Sequence, residues 1–268
     1  MSNLENIRSL YQSSAYHDIL HDVNGVIFPF NPEWKNIGIS VSGGADSALM
    51  SVLLCSIISQ LKSNTNVHII TNIRCWKTRP WQKQNSLNVF NWITNSFPNI
   101  QFKRHENFIA PDLEWGSIGP NIQDEYGKLK SGNQIELRAH AEYVAHTENL
   151  DAWYCGVTKN PDKEFDGRLL DRDIEDVTLD RLIKTHMGGL ACHPFTHVQK
   201  DWIVAQYKKL GIMDLFDLTR SCEGDNQTYP EIFGDLDYKT YVSGSPVPVC
   251  GKCFWCKERE WGVSKCQD

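Results

Sequence analysis

The sequence predicts an α/β fold: a doubly wound parallel sheet followed by a small cysteine-rich tail. Short β-rich runs alternate with longer helical runs from residue 37 to about residue 215, and such strands join as parallel neighbours through right-handed crossovers. The alternation then stops, and three cysteines follow within the seven residues 250–256. We therefore expect an N-terminal helical extension (1–36), an α/β domain (37–215) and a C-terminal cysteine-rich segment (216–268).

Hydrophobic periodicity places the individual elements. It predicts strands at 37–41, 67–73, 100–103 and 152–157, and helices at 46–61, 85–96, 133–149 and about 199–210. Ligands on parallel sheets bind beyond the carboxyl ends of the strands. The segments 42–47, 74–81 and 156–160 each follow a predicted strand, so we expect them to converge on one site.

Composition narrows the class of protein. A net charge of −6 over 268 residues gives no global attraction to nucleic acid. No apolar run approaches the ~18 residues that a membrane-spanning helix needs, and the N-terminus lacks the basic and then apolar layout of a secretion signal. Nine cysteines in an unsecreted chain indicate thiols or metal ligands rather than disulfides. We expect a cytoplasmic protein without a membrane partner.

A glycine loop, Val41-Ser42-Gly43-Gly44-Ala45-Asp46-Ser47, joins the first predicted strand to the first predicted helix. Its glycines permit close approach of backbone amides to a ligand, and the helix N-terminus favours an anion. The two serines add hydroxyl donors, whereas the carboxylate of Asp46 must hold a cation or orient the loop. The common Gly-x-x-x-x-Gly-Lys-Ser/Thr phosphate loop is absent. The alternative is a plain turn without a ligand.

The cysteine tail predicts a metal site. Cys250, Cys253 and Cys256 stand at two-residue spacings, and tight Cys-x-x-Cys turns direct sulfur atoms at one centre, where Zn²⁺ takes four such ligands. Cys222 is the first choice for the fourth ligand and Cys266 is its rival; a redox or incidental cluster is the alternative. The other four cysteines lie in apolar or strand contexts that favour core packing: Cys55, Cys75, Cys155 and Cys192.

A basic and aromatic loop follows the second predicted strand. Arg74, Trp76 and Arg79 stand close together in residues 74–81, with Trp81 at the end. Such a loop can stack a purine-like ring or bind a single RNA strand. The alternatives are a hydrophobic anchor or the contact of a homodimer.

The glycine loop and the cysteine tail together resemble one family. The segment Ser42 to Ser47 is similar to the Ser-Gly-Gly-x-Asp-Ser signature of the ATP pyrophosphatases. The tail Cys222, then Cys250-Gly251-Lys252-Cys253-Phe254-Trp255-Cys256, with Arg259 after it, resembles the end of the 7-cyano-7-deazaguanine synthases. The weaker landmarks Cys155-Gly156-Val157 and His193-Pro194-Phe195 with Lys200 agree with that family. The resemblance spans about residues 37–262.

This resemblance implies an adenine nucleotide alpha hydrolase-like fold and a reaction. The family activates the carboxylate of 7-carboxy-7-deazaguanine with ATP, ammonia displaces AMP, and a second ATP drives elimination to the nitrile. By resemblance, residues 41–47 hold the ATP pyrophosphate, and Mg²⁺ bridges it through Asp46. Asp46 and Lys200 are the expected catalytic residues, with Lys200 a candidate to neutralise phosphate charge. Arg74, Trp76, Arg79 and Thr158 fall on the substrate side, and the cysteines hold a structural zinc ion.

Several departures from the family lie on the substrate side. Residues 131–134 read Ser-Gly-Asn-Gln without the family's Arg, Thr158 replaces an Asn, and 27 residues separate Cys222 from Cys250. The resemblance therefore supports the ATP chemistry more strongly than it supports the identity of the acceptor. A related enzyme that modifies RNA or another acceptor stays open as an alternative, as does a nucleotide-binding accessory protein without turnover.

Overall fold

A computed structural model of the chain describes residues 19–75, 79–109, 121–123, 129–161, 183–184, 190–224 and 248–266. The strands are β1 Leu20–Val23, β2 Val26–Pro29, β3 Asn36–Ser40, β4 Asn66–Ile73, β5 Phe102–Phe108, β6 Asn121–Gln123, β7 Leu129–Ser131, β8 Ala152–Tyr154, β9 Ile183–Lys184 and β10 Leu190–Cys192. The helices are α1 Ala45–Gln60, α2 Gln82–Ser96, α3 Gly132–Thr147, α4 Lys200–Leu210, α5 Met213–Leu218 and α6 Phe254–Ser264.

The main sheet has six strands in the order β5-β4-β3-β8-β10-β9. Neighbouring strands from β5 to β10 are parallel, and β9 pairs antiparallel to β10 at the edge. The predicted α/β class with a parallel sheet is confirmed. Strand order reverses direction between β3 and β8, and in open sheets the crevice at such a reversal, beyond the carboxyl ends of the strands, is where ligands bind.

Helices cover both faces of the sheet. The larger core packs α1, α4 and α5 against one face, where Ile37 and Ile39 of β3 are fully buried. A smaller core packs α3 on the other face around Ile70 and Leu150. Gly38 faces this second core closely, because a Cβ built on it would lie 2.6 Å from Leu150 Cδ1. This two-sided burial explains why the strands are short apolar runs rather than alternating ones.

The N-terminal extension differs from the expected helix wherever the structure describes it. Residues 20–29 form the hairpin β1–β2, in which Val23 pairs with Val26. The turn residues Asn24 and Gly25 have positive φ angles of 52° and 91°, the conformation for which Asn-Gly is the preferred sequence of a two-residue hairpin. Residues 1–18 lie outside the described part of the chain. The extension is therefore β structure here, and Phe28 is part of the larger core.

Other differences concern element lengths and short elements. Strand β5 extends to Phe108, beyond the predicted 100–103, and β8 ends at Tyr154 rather than at residue 157. Hydrophobic periodicity also did not predict β6, β7, β9, β10, α5 and α6. A three-residue strand and the six-residue α5 are too short for hydrophobic periodicity to reveal, whereas the 11-residue α6 is long enough and was overlooked. Among the described residues, no helix is both long and apolar enough to cross a membrane.

Candidate nucleotide site and cysteine cluster

The glycine loop lies between β3 and α1, at the reversal of strand order. Gly43 has a φ of +81°, and a Cβ at this position would lie 2.9 Å from the backbone nitrogen of Ser86. Both the conformation and the space therefore require glycine. Gly44 is the extended N-cap of α1, so the first-turn amides of this helix, which have no partner within the helix, face the crevice.

Hydrogen bonds hold the loop in shape. Ser42 N–H donates to Ser47 Oγ at 3.2 Å, and the Gly44 amide donates to Ser42 Oγ at 3.3 Å. The Gln82 side chain donates to Ser42 O at 3.2 Å, and the Arg220 amide donates to Gly43 O at 2.9 Å. Hydrogen bonds to α1, to Gln82 at the start of α2 and to Arg220 thus fix the conformation of the loop.

Asp46 pairs with Lys200 at the start of α1. Lys200 Nζ lies 2.5 Å from each carboxylate oxygen of Asp46, and the lysine side chain is only 2% exposed. The two residues that were expected to be catalytic, Asp46 and Lys200, are therefore in direct contact. In this arrangement Lys200 holds the Asp46 carboxylate in position, and it does not present its charge to solvent.

A second carboxylate approaches Lys200 from the C-terminal tail. Glu258 Oε2 of α6 lies 3.6 Å from Lys200 Nζ, and the Glu258 side chain is fully buried. On α4, the Tyr207 hydroxyl donates to the carbonyl of Ala45 at 2.7 Å, and burial raises the pKa of Tyr207. Helix α4 thus ties the tail helix to the first turn of α1. No sequence pattern singled out Glu258, because an isolated glutamate is ordinarily a solvated residue.

The four cysteines of the tail form one cluster. The sulfur atoms of Cys222, Cys250, Cys253 and Cys256 all lie within 4.8 Å of one another. Backbone amides support them: Cys250 N–H donates to Cys222 Sγ, and Cys253 N–H donates to Cys250 Sγ, both at 3.4 Å. We call these four residues the cysteine cluster; their number and spacing suit a tetrahedral metal ion.

The remaining cysteines lie elsewhere. The Cys266 thiol donates to the carbonyl oxygen of Asp201 at 3.3 Å, outside the cysteine cluster. Cys55, Cys75 and Cys192 are buried, as their predicted packing role requires, and burial raises the pKa of the Cys155 thiol to about 11. The structure therefore groups Cys222, and not Cys266, with the three tail cysteines.

The predicted substrate loop is joined to the cysteine cluster by Glu223. Arg74 lies 2.5 Å and Arg79 3.1 Å from the two carboxylate oxygens of Glu223, while the Glu223 amide donates to Cys253 Sγ at 3.3 Å. Burial opposes ionisation of Glu223, but the charges of Arg79 and Arg74 outweigh it and lower the pKa of this carboxyl to about 2. Both arginines are thus engaged in ion pairs within the protein, with the one carboxylate balancing one of their two positive charges. Glu223 directly follows Cys222 in the sequence, and this adjacency is the local signal that places it beside the cysteine cluster.

The aromatic residues in and near this loop lie in different environments. Trp81 is buried, and the guanidinium of Arg220 stacks 3.8 Å from its ring centroid, which agrees with the hydrophobic-anchor alternative for this residue. Trp76 lies outside the described residues. Trp255 of α6 donates its indole N–H to Glu223, so an aromatic residue of the tail takes part in the same network.

The segment after β8 meets the glycine loop at Gly156. A Cβ built on Gly156 would lie 3.1 Å from the backbone nitrogen of Ser47, so a small residue is needed for this contact. Thr158, two residues further on, is 2% exposed. The predicted convergence of the segments after β3 and β8 therefore occurs, although the structure does not present the Thr158 side chain to solvent.

No protein-family model and no curated protein matches this sequence. Solved structures that are similar in part to this chain include one thiolase and two synthetases. They are the U34-tRNA thiolase NcsA from Methanococcus maripaludis with its 4Fe-4S cluster (13% identity, 93% of this chain and 82% of that chain, TM-score 0.44), NMN synthetase from Francisella tularensis (11%, 88% and 86%, 0.39) and NAD+ synthetase from Burkholderia pseudomallei (10%, 87% and 79%, 0.39). At these TM-scores the likeness assigns neither a family nor a reaction to this chain.

Proposed function

We propose that the chain is an ATP-dependent enzyme that adenylates a carboxylate and releases pyrophosphate, in the manner of the 7-cyano-7-deazaguanine synthases. The observation that carries this proposal is the braced glycine loop at the reversal of strand order, with Asp46 held by Lys200 in the first turn of α1. A helix N-terminus that follows such a loop attracts an anion through its amides and its dipole.

The residues of the loop have distinct roles in this proposal. The first-turn amides of α1 and the hydroxyls of Ser42 and Ser47 bind phosphate oxygens of ATP. The carboxylate of Asp46 alone would repel those oxygens, and Lys200 compensates that charge at 2.5 Å. Mg²⁺ would be held by Asp46 together with the phosphates, since hard cations prefer oxygen ligands. Lys200 is then a positioning residue that acts through Asp46.

The reaction needs little covalent chemistry from the protein. A carboxylate is a poor electrophile, and attack of its oxygen on the α-phosphorus of ATP converts that oxygen into part of a good leaving group. The protein has to hold pyrophosphate, neutralise charge and align the carboxylate with the phosphorus. The N-terminus of α1, the serine hydroxyls of the glycine loop and the Asp46 carboxylate, which is paired with Lys200, are suited to those three tasks.

A metal ion in the cysteine cluster would have a structural role. Four sulfur atoms within 4.8 Å of one another, with amides donating to them, are a fitting donor set for Zn²⁺. Four thiolates leave no open position on the metal, so zinc supplies folding energy and no chemistry. The cluster would then hold Glu223 and the start of α6 in place, and through α6 also Glu258.

The acceptor proposed is 7-carboxy-7-deazaguanine with ammonia as the nitrogen donor. An RNA acceptor rests on a basic loop with free charge, yet Arg74 and Arg79 are paired with Glu223. Both guanidinium groups are therefore already engaged inside the fold, which disfavours an RNA acceptor at these two residues. The accessory-protein alternative is disfavoured because Asp46, Ser42 and Ser47 are all kept in one hydrogen-bonded loop.

The test is turnover by the purified full chain with ATP, Mg²⁺, 7-carboxy-7-deazaguanine and ammonia, measured as pyrophosphate, AMP and product mass. We expect pyrophosphate release that requires the carboxylate, and the mass of the nitrile. Asp46→Asn should abolish release, whereas Asp217→Asn, an exposed carboxylate on α5, should leave it unchanged.

Other outcomes separate the alternatives. Pyrophosphate release with a different carboxylate but not with 7-carboxy-7-deazaguanine would keep the adenylation chemistry and overturn the acceptor. Binding of ATP without pyrophosphate release, across a panel of carboxylates and RNA, would overturn the enzyme proposal in favour of the accessory protein.

A further inference from the structure

A second cluster of metal-binding side chains lies away from the glycine loop, toward the amino ends of the central strands. His68 stands on β4 in register with Gly38 of β3, and His105 stands on the neighbouring strand β5. Glu148 follows the last residue of α3. Three separate elements therefore bring two imidazoles and one carboxylate together, and the nucleotide site uses none of them.

The donor atoms have the separation that a small metal ion requires. His68 Nδ1 lies 3.0 Å from His105 Nε2 and 3.9 Å from Glu148 Oε2. Around a tetrahedral ion with bonds near 2.0–2.1 Å, neighbouring ligand atoms stand about 3.3–3.4 Å apart. The two observed distances lie on either side of that value, so small side-chain rotations suffice to close the site on a metal ion.

Neighbouring residues orient the donor atoms. His68 Nε2 lies 3.4 Å from Asn36 Oδ1, and the same oxygen accepts a hydrogen bond from the Asn66 side chain. An amide oxygen accepts, so His68 Nε2 carries the proton and Nδ1 offers its lone pair to the cluster. This is the arrangement in which metal-binding histidines are ordinarily held, with the second ring nitrogen donating to a carbonyl or carboxylate.

The carboxylate is oriented in a similar way. Lys103 Nζ lies 2.5 Å from Glu148 Oε1, and this contact leaves Oε2 turned toward His68. Lys103 is 58% exposed and Glu148 is 23% exposed, whereas His68 is buried. The cluster is thus anchored inside the fold and open to solvent on one side, so that a metal ion and a water ligand can enter.

We propose that His68, His105 and Glu148 form a binding site for a divalent transition metal ion such as Zn²⁺ or Co²⁺, with a water molecule in the open position. Two imidazoles and one carboxylate are a donor set for such metals rather than for Mg²⁺ or Ca²⁺. The bound ion would clamp β4, β5 and the end of α3 together. This site is separate from the cysteine cluster and does not depend on the proposed function.

The experiment is a Co²⁺ titration of the full chain, purified without chelators so that the cysteine cluster keeps its metal. Calorimetry gives the stoichiometry, and visible absorption distinguishes the ligands. We expect one equivalent of Co²⁺ to bind with d–d bands and without a thiolate-to-cobalt charge-transfer band. His105→Ala and Glu148→Gln should each lower the affinity by at least ~10-fold, in the range known for lost metal ligands and their supports.

The matched control is His146→Ala, an exposed histidine near the same end of α3, which should bind Co²⁺ as the unmodified chain does. Circular dichroism of each variant shows whether the fold is retained, and Glu148→Gln preserves the shape of the side chain. The proposal is overturned if the unmodified chain binds no Co²⁺, if both variants bind it with unchanged affinity, or if the absorption shows thiolate ligation alone. A plain His68–His105 hydrogen bond would give one of those results.

Discussion

The side chain of Lys200 occupies the space where a side chain on Gly262 would begin. A Cβ built on Gly262 would lie 2.7 Å from Lys200 Cγ and 3.0 Å from the Lys200 carbonyl carbon and oxygen. Helix α6 can approach α4 this closely only because residue 262 is glycine. The close approach brings Glu258 within 3.6 Å of Lys200 Nζ, and Lys200 in turn holds Asp46. The cysteine tail is thereby connected to the nucleotide loop.

Gly262→Ala should weaken this connection. The added methyl meets backbone atoms of α4, which cannot move as a flexible side-chain end can, so we expect a loss of about 1–3 kcal/mol in the free energy of unfolding. Urea denaturation measures it, and ATP affinity should fall with it. Ser264→Ala, at an exposed position of the same helix, is the control. Equal stability of the two variants would show that α6 does not need the close contact.

Lys200→Met should leave the buried carboxylate of Glu258 and the carboxylate of Asp46 without their shared cation. Removing one partner of a buried ion pair lowers the free energy of unfolding by about 3–5 kcal/mol. Adding Glu258→Gln should recover part of that loss, because one of the two carboxylates is then neutral. A double-mutant cycle by urea denaturation measures the coupling. Simple additivity of the two changes would contradict the arrangement described here.

Cys253→Ser should remove the metal of the cysteine cluster and lower stability, because the binding energy of a structural thiolate site is folding energy. Elemental analysis of protein purified without chelators gives the metal content per chain, and thermal unfolding gives the stability. Cys222→Ser should behave in the same way. Cys266→Ser should keep the metal, because the Cys266 thiol donates to Asp201 O instead. Metal loss in Cys266→Ser alone would reverse the choice of fourth ligand.

Glu223→Gln should change the dependence of stability on pH. The pKa of this carboxyl is lowered from 4.5 to about 2 in the folded protein, so its ion pairs stabilise the fold fully above pH ~4.5 and lose their effect as the pH falls toward 2. Unfolding free energy measured across that window should fall less steeply in Glu223→Gln than in the unmodified chain, by up to ~1.4 kcal/mol per pH unit.

Comparison with the unmodified chain and with a control variant isolates the effect of Glu223. Acid also protonates the metal-binding thiols, but both proteins share that effect, so the difference between them reports Glu223 alone. Glu260→Gln, an exposed carboxylate on α6, should show the pH dependence of the unmodified chain. At neutral pH, Glu223→Gln should itself cost on the order of 3–5 kcal/mol, because Arg74 and Arg79 lose their buried partner. Identical pH profiles for the three proteins would refute the ion-pair network.

The parallel sheet could be predicted from the sequence because its signals are local. Apolar runs such as Val67 to Ile73 and the helical spacing after Asp46 each fall within one element, and a helix between two strands leaves a parallel crossover as the ordinary connection. The hairpin at Asn24-Gly25 has a local signal as well, because Asn-Gly is a preferred two-residue turn, although a helix was predicted there.

Partners distant in the sequence could not be predicted in this way. Lys200 and Asp46 are 154 positions apart, and although both were expected at the site, no pattern in the sequence predicted that they would form an ion pair. Arg74 and Glu223 are 149 positions apart, and no residue near Arg74 in the sequence indicated that a carboxylate beside the cysteine cluster would pair with it. The residues next to a charged side chain in the sequence do not indicate which group will pair with it in the fold.

The sequence by itself determined the classes of structure here: a parallel α/β sheet, a glycine turn at a helix N-terminus, and cysteines spaced for one centre. Backbone conformation and hydrophobic period dictate these, and both are properties of neighbouring residues. Only the tertiary structure decided which groups meet: Lys200 with Asp46 and Glu258, Glu223 with two arginines, and His68 with His105. Those pairings depend on the packing of helices on a sheet, where a single glycine such as Gly262 sets how closely two elements approach.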